Sequence, residues 1–144
     1  MTEPVVTTRG VLDTSTVILL GRLTDPDELP KESVISAITL AELSVGPHVA
    51  RTDHERSARQ QHVQQAEADF EVLAFNAESA RAFGSVAAAL RSSGRKPNAR
   101  ASDALIAASA IANGIPLFTC NPGDFVGIPQ LDLRSVTHPG APGS

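Results

Sequence analysis

Short continuous apolar runs alternate along the chain with longer stretches in which apolar residues recur at helical spacing. Short apolar runs that are bounded by turn residues are typical of buried strands. The runs are 10–12, 33–39 (SVISAIT), 70–75 (FEVLAF), 115–119 (IPLFT) and 130–136 (QLDLRSV). We predict strands at the first four and a possible fifth strand at the last.

Helices are predicted in the intervals between these runs. One begins near Thr14, directly after the first strand, and the next covers 40–50. Thr39 stands immediately before this second helix and Glu42 three residues later, which is the spacing of a capping box. We therefore expect Thr39 to be the N-cap residue of the helix that carries Glu42.

Three further helices follow in the second half of the pattern. The stretch 53–69 is very polar and is expected to be an exposed helix, and an alanine-rich helix runs from near Ser102 to Gly114, a C-terminal cap residue. Between them lies an apolar stripe at helical spacing, made of Ala80, Phe83, Ala87 and Leu90. The glycine- and proline-containing segment 92–98 interrupts the pattern after this stripe.

Strands that alternate with helices of ten or more residues indicate parallel crossovers, so the predicted fold class is α/β with a central, mainly parallel sheet of four to five strands. The length of 144 residues fits one domain, which we place at 9–136. Residues 1–8 are expected to be a flexible leader, and 137–144, rich in Pro and Gly, a disordered tail.

The amino-acid composition and net charge narrow the range of possible functions. The chain lacks Trp and Tyr and carries a net charge of −4, which argues against a base-stacking platform and against wholesale electrostatic binding of nucleic acid. The single cysteine, Cys120, excludes an intramolecular disulfide, and no apolar run is long enough to span a membrane. We expect a soluble, cytoplasmic protein that does not associate with membranes.

Basic residues are nevertheless grouped rather than spread evenly. One group follows the fourth predicted helix and is a candidate contact for a nucleic-acid backbone: Arg91, Arg95, Lys96 and Arg100. The alternative is that this group is merely a solvated helix end.

Four acids stand where the predicted strands and helices meet. They are Asp13, Glu42, Asp103 and Asp124. Carboxyl ends of parallel strands share one edge of a sheet, where ligands of α/β folds bind, so these acids could converge. Two carboxylates about 5 Å apart repel by roughly 3 kcal/mol at an effective dielectric of about 20, so that convergence requires protonation or a cation. Oxygen ligands without His or thiolate suit Mg²⁺ or Mn²⁺, which points to phosphodiester hydrolysis.

Small hydrogen-bonding residues flank two of these acids. Thr14 and Ser15 follow Asp13, and Thr119 and Asn121 precede Asp124. They could orient carboxylates or water around a metal. The alternative is structural, because Thr119 and Asn121 could cap the turn at Pro122–Gly123, and any single acid could be a helix cap.

These motifs together resemble the PIN-domain ribonucleases, and specifically the VapC toxins of VapBC toxin–antitoxin modules. The resemblance is carried by VLDTST, ITLAELSVG, GRKPNARASDALIAASAIANGIPLFTCNPGDF and LDLRSV, and covers about 11–136. It implies a three-layer α/β/α sandwich. It also implies a type II toxin that is a Mg²⁺- or Mn²⁺-dependent endoribonuclease, with one or two ions per active site.

The resemblance implies a catalytic metal site made of four acids, Asp13, Glu42, Asp103 and Asp124. Of these, Asp13, Asp103 and Asp124 are expected to hold the metal. The expected partners are a VapB-type antitoxin that inhibits the toxin and a structured RNA, either tRNA or rRNA. The expected assembly is a homodimer, and a heterotetramer or larger with antitoxin. Cys120 occupies a position where the family commonly has arginine.

The working hypothesis is that a metal-activated water, oriented or deprotonated by Glu42, attacks the phosphorus and leaves 5′-phosphate and 3′-hydroxyl ends. The main alternative is a catalytically silent PIN-fold module that binds RNA or protein. Two other Mg²⁺-dependent folds fit less well. A receiver domain requires a lysine near its last strand, and a haloacid-dehalogenase phosphatase requires an aspartate where Ser15 stands.

Overall fold

The computed structural model describes residues 9–94 and 101–140. Five strands form one sheet in which every neighbouring pair is parallel, in the order β3-β2-β1-β4-β5. They are β1 (Arg9–Leu12), β2 (Glu32–Ser36), β3 (Glu71–Leu73), β4 (Leu117–Thr119) and β5 (Leu133–Ser135). The predicted α/β class and the tentative fifth strand are therefore confirmed.

Consecutive residues of the central strands point to opposite faces of the sheet and enter two separate cores. Val11, Val34 and Leu117 belong to one core, and their neighbours Leu12, Ile35 and Phe118 belong to the other. Strands with apolar residues on both sides have to be covered on both faces. This requirement explains the three-layer arrangement.

Helices cover the two faces. They are α1 (Thr14–Ile18), α2 (Ala37–His48), α3 (Asp53–Asp69), α4 (Ala77–Ser92) and α5 (Ala101–Asn113). Helices α4 and α5 supply Val86, Leu90 and the alanines of α5 to the first core, whereas α1, α2 and α3 supply Val17, Leu43 and Val63 to the second. Small alanine side chains let α5 pack closely on the sheet, and Gly114 ends this helix with a φ of 66°.

Two sequence-based assignments are wrong in detail. Helix α2 begins at Ala37 with Ser36 as its N-cap, so Thr39 lies inside the helix and does not cap it. In α4 the fully buried positions include Ser79 and Val86, whereas Ala80 of the predicted stripe is exposed. In both cases the prediction chose one small residue, and the structure uses another small residue one to three positions earlier.

The polar helix α3 is mostly exposed, as predicted, and its Glu55 and Arg59 form an i,i+4 ion pair. The domain boundaries remain predictions. The leader 1–8 and residues 141–144 lie outside the described residues, while Thr137 donates two hydrogen bonds to the Glu28 carboxylate, at 2.9 and 3.1 Å. In the part of the chain that the structure covers, no helix is both long and apolar enough to cross a membrane.

The order of the strands determines where a site can form. From β1 the chain moves outward through β2 and β3 on one side, and later through β4 and β5 on the other. The crevice between β1 and β4, at the carboxyl ends of the strands, is therefore the topological switch point, where α/β proteins bind ligands.

Candidate active site

Asp13 lies at this switch point. It follows the last residue of β1 directly, and its side chain is only 3% exposed. Its extended backbone, with φ −76° and ψ 169°, makes it the N-cap of the short helix α1. The charge that interrupts two apolar segments thus serves locally to end a strand and start a helix.

Both oxygens of the Asp13 carboxylate accept hydrogen bonds. Oδ1 accepts from the backbone N–H of Thr16 at 3.2 Å and from the Thr16 hydroxyl, and Oδ2 accepts from the hydroxyls of Ser15 at 3.1 Å and Thr119 at 2.8 Å. Thr16 and Thr119 are fully buried. The carboxylate is therefore held in one orientation by a backbone amide and three hydroxyls.

The loop after β4 holds these hydroxyls in turn. The backbone N–H of Cys120 donates to the Thr16 hydroxyl at 3.0 Å, and that of Asn121 donates to Thr119 Oγ1 at 2.9 Å. Asn121 also donates through its side chain to Ser15 Oγ at 3.0 Å. Three consecutive residues, 119–121, thus fix Asp13 directly or through one hydroxyl, over a sequence separation of more than 100 residues.

Glu42 is joined to the same region through Thr14. It lies on α2 one turn after Thr39, and its Oε1 accepts a hydrogen bond of 2.5 Å from the Thr14 hydroxyl. The Thr14 hydroxyl also lies 3.0 Å from that of Thr39. Thr14 is the residue directly after Asp13. The hydrogen bond from Thr14 therefore links the Glu42 carboxylate to the segment that carries Asp13.

The Asp13 carboxylate is surrounded by neutral groups. All its hydrogen-bond donors in the described structure are hydroxyls or a backbone amide, and it forms no ion pair there. Buried charges in proteins are normally paired or coordinate metals. This carboxylate is therefore an attractive position for a cation.

Asp103 and Asp124 lie on two elements that contact each other. Asp103 lies in the first turn of α5 and Asp124 in a 3₁₀ helix, Pro122–Phe125, and both are partly buried. Helix α5 contacts both this 3₁₀ helix and α2. Within 9–94 and 101–140, no three Asp, Glu, His or Cys side chains are arranged to hold a metal ion.

Comparison with known proteins identifies the family. A model of the PIN domain matches residues 11–128. The chain belongs to the PIN-domain family. Ribonuclease VapC5 of Mycobacterium tuberculosis is 36% identical over 112 residues, which cover 76% of this chain and 81% of that protein. The similarity predicted from the sequence motifs is therefore confirmed.

Solved structures agree with this PIN fold. The VapBC-5 toxin–antitoxin structure from Mycobacterium tuberculosis matches with a TM-score of 0.75 and 30% identity, covering 90% of this chain and 98% of that one. DNA-bound VapBC from Salmonella typhimurium matches with a TM-score of 0.73 and 24% identity over 89% and 98%. The second similarity supports the fold alone.

Two residues of this hydrogen-bonded region were not predicted from the sequence to take part in it. Thr16 was not singled out, although an aspartate followed three residues later by a hydroxyl residue is a possible N-cap pair. Thr39 was assigned to a cap. Asn121 forms no side-chain cap bond, whereas Thr119 both accepts from the turn and donates to Asp13. The capping alternative therefore applies to Thr119 only.

The structure describes only part of the basic group that was proposed to contact RNA, and it shows the surroundings of Cys120. Arg91 is exposed in the last turn of α4, and the other candidates for RNA contact, Arg95, Lys96 and Arg100, lie outside the described residues. Cys120 is 6% exposed and packs in the second core. Burial, and to a smaller extent the negative charge of Asp13, raises the pKa of its thiol. Cys120 is thus a core residue and does not present a positive charge to RNA.

Proposed function

We propose that this PIN-domain protein is the toxin of a type II toxin–antitoxin system, an endoribonuclease that uses Mg²⁺ or Mn²⁺ to cleave structured cellular RNA. The observation that carries the proposal is the buried Asp13 carboxylate, which has only neutral donors among the described residues and is followed by Thr14, the hydrogen-bond donor of Glu42, in a VapC-related fold. The ribonuclease name of the relative that is 36% identical supports the same activity.

The residues present fit a hard divalent ion. The potential metal ligands at this edge of the sheet are carboxylate and hydroxyl oxygens. Mg²⁺ is usually bound through one or two carboxylates and several waters, so a preassembled group of three acids is not required. Asp13, together with Asp103 and Asp124, would hold one or two ions. When bound, the ion would lower the pKa of a water and neutralise charge on a phosphoryl oxygen.

The side chains of the protein have separate tasks in this chemistry. The hydroxyls of Ser15, Thr16 and Thr119 keep the Asp13 oxygens in place, so that little reorganisation is required during the reaction. Glu42 orients the attacking water and accepts its proton. Water attacks the phosphorus while the bond between the phosphorus and the 3′ oxygen breaks, and this oxygen leaves and takes up a proton. The products therefore carry 5′-phosphate and 3′-hydroxyl ends.

RNA and protein partners follow from the surroundings of the site. Arg91 is exposed beside the segment that carries the other basic residues, and these positive charges would contact the RNA backbone without reading bases. The structure of the 30% identical relative is a VapBC toxin–antitoxin assembly. A VapB-type antitoxin is accordingly proposed as the inhibitor, with a homodimeric toxin in a heterotetramer or larger complex. Such a module would act in the cytoplasm.

The activity can be tested by mapping RNA ends. Purified wild-type chain is incubated with deproteinised total bacterial RNA in Mg²⁺ or in EDTA, beside Asp13→Asn and Glu42→Gln. Ser79→Ala is the matched control, since Ser79 is also fully buried and its hydroxyl donates to Asn76 instead. New 5′-phosphate ends should require Mg²⁺, be lost in Asp13→Asn, and form about 100-fold more slowly in Glu42→Gln, which loses the proton acceptor but keeps a measurable residual activity. Equal cleavage by Asp13→Asn would refute the proposal.

One observation favours a second candidate, a silent PIN-fold module that binds RNA or protein. As noted above, no group of three potential ligands is preassembled among the described residues. A silent module would bind RNA or antitoxin equally well with Asp13→Asn and would produce no Mg²⁺-dependent ends. The same experiment therefore separates the two functions.

A further inference from the structure

Thr39 is a buried polar residue that the proposed mechanism does not yet use. Its side chain is fully buried in the first turn of α2, three residues before Glu42. It is not the N-cap, which is Ser36. A hydroxyl without an exposed surface requires a partner inside the protein, since an unsatisfied buried donor costs about 1–3 kcal/mol.

The partner of Thr39 lies outside its own helix. Ser44, Ser93 and Ser109 each donate to a backbone carbonyl of their own helix, at 2.7, 2.9 and 3.2 Å. In the described structure the Thr39 hydroxyl forms no such bond and instead meets Thr14 Oγ1, across 25 residues of sequence, at 3.0 Å. The hydroxyl is therefore directed toward the site rather than used within the helix.

Counting protons determines the direction of the hydrogen bonds. An ionised carboxylate can only accept, so Thr14 uses its single proton in the 2.5 Å bond to Glu42 Oε1. The Thr14 oxygen is then an acceptor, and Thr39 must be the donor in the other bond. The order is Thr39 to Thr14 to Glu42, and each bond polarises the next, which strengthens the contact with the carboxylate.

We propose that Thr39 is a positioning residue that fixes the Glu42 carboxylate through the Thr14 hydroxyl. Without the hydroxyl proton of Thr39, Thr14 loses the donor that turns its own hydroxyl toward Glu42. The Glu42 carboxylate then becomes free to adopt other rotamers. The inference rests on the proposed role of Glu42.

The test compares Thr39→Val, which keeps the shape but removes the hydroxyl, with Thr39→Ser, which keeps the hydroxyl. The substrate is a short labelled RNA carrying the site mapped in total RNA. We expect kcat for Thr39→Val to fall by about 10-fold or more, as for other residues that orient active-site ligands, with KM within about two-fold of wild type. Thr39→Ser should retain most of the activity, and the buried control Ser79→Ala should match wild type.

A combined variant separates positioning from general damage. In a Glu42→Gln background, Thr39→Val should cause no further loss, because the group that it positions is already altered. A purely structural defect would lower the residual activity again. The carboxyl ¹³C signal of Glu42, observed with labelled glutamate in the intact chain, should shift or broaden in Thr39→Val and remain near its wild-type position in Thr39→Ser.

The possible failures can be told apart. If Glu42→Gln is fully active, the proposed role of Glu42 is wrong, while the ¹³C signal still decides whether Thr39 fixes that side chain. If Glu42→Gln is inactive but Thr39→Val has the wild-type kcat and an unchanged ¹³C signal, the inference is overturned. Should Thr39→Val not fold, Thr39→Ala removes the same hydroxyl without placing a second methyl group against Thr14, and it should then give the same loss of kcat and the same change in the ¹³C signal.

Discussion

Replacing Asp13 tests whether its carboxylate is a structural acceptor as well as a candidate metal ligand. Asp13→Ala removes the N-cap of α1 and takes the acceptor away from two fully buried hydroxyls, those of Thr16 and Thr119. Asp13→Asn keeps one oxygen and the capping geometry while removing the charge. Both variants lose the charge, but Asp13→Asn keeps one of the two accepting oxygens, so the difference between them reports the hydrogen bonds of that oxygen and the cap.

The magnitudes follow from these contacts. Loss of an N-cap costs about 0.5–2 kcal/mol, and each buried hydroxyl left without an acceptor costs about 1–3 kcal/mol unless it finds another partner. Removing a buried charge offsets part of this cost. We expect Asp13→Ala to lower the free energy of unfolding by about 3 kcal/mol, or roughly 10 °C in Tm. Asparagine ranks with aspartate as an N-cap, so Asp13→Asn should lose less than about 1.5 kcal/mol.

The assay is urea unfolding of wild type and both variants in EDTA, so that metal binding does not contribute to stability. A fall in the midpoint with an unchanged m-value would report lost stability of the folded state. An Asp13→Ala chain as stable as wild type would refute the assigned hydrogen bonds. Equal losses in both variants would show that charge, and not hydrogen bonding, dominates.

Three further substitutions or reagents probe the surrounding structure. Gly84 lies inside α4 with open space around its Cβ position, so Gly84→Ala should raise stability by about 0.5–1 kcal/mol, measured by urea unfolding; a loss of stability would contradict the open environment. A Cβ on Gly10 would lie 2.5 Å from a ring carbon of Phe118, so Gly10→Ala should destabilise by about 1–3 kcal/mol in the same assay, and a neutral result would show that the ring moves freely. Because Cys120 is buried and the pKa of its thiol is raised, iodoacetamide should alkylate the folded chain at pH 8 far more slowly than the urea-unfolded chain, as followed by mass spectrometry; equal rates would place the thiol at the surface.

The sheet could be predicted because its signal is local. Runs such as 33–39 and 115–119 are apolar on both faces, and the stretches between such runs have apolar residues at helical spacing. This pattern is sufficient to indicate a parallel sheet that is covered by helices on both faces. The same reasoning placed Asp13 at a strand end on the ligand-binding edge. Both features depend on neighbouring residues and on the general geometry of α/β folds.

The hydrogen bonds of the site could not be predicted because they join distant residues. Thr119 reaches Asp13 across 106 residues, and nothing in the local sequence says which hydroxyl turns toward which acid. The start of α2 was misplaced because Ser36 and Thr39 are both acceptable caps, and only burial of Thr39 against Thr14 decides between them. Such choices are made by tertiary packing and not by propensity.

The central claim, that the buried Asp13 carboxylate holds a divalent ion, is tested most directly by Mn²⁺ binding, measured by electron paramagnetic resonance on the full chain without RNA. We expect wild type and the buried control Ser79→Ala to bind Mn²⁺ with equal affinity, and Asp13→Asn to bind at least about 10-fold more weakly. If Asp13→Asn binds Mn²⁺ as tightly as wild type, the ion is held elsewhere and the proposed chemistry at this edge of the sheet is contradicted.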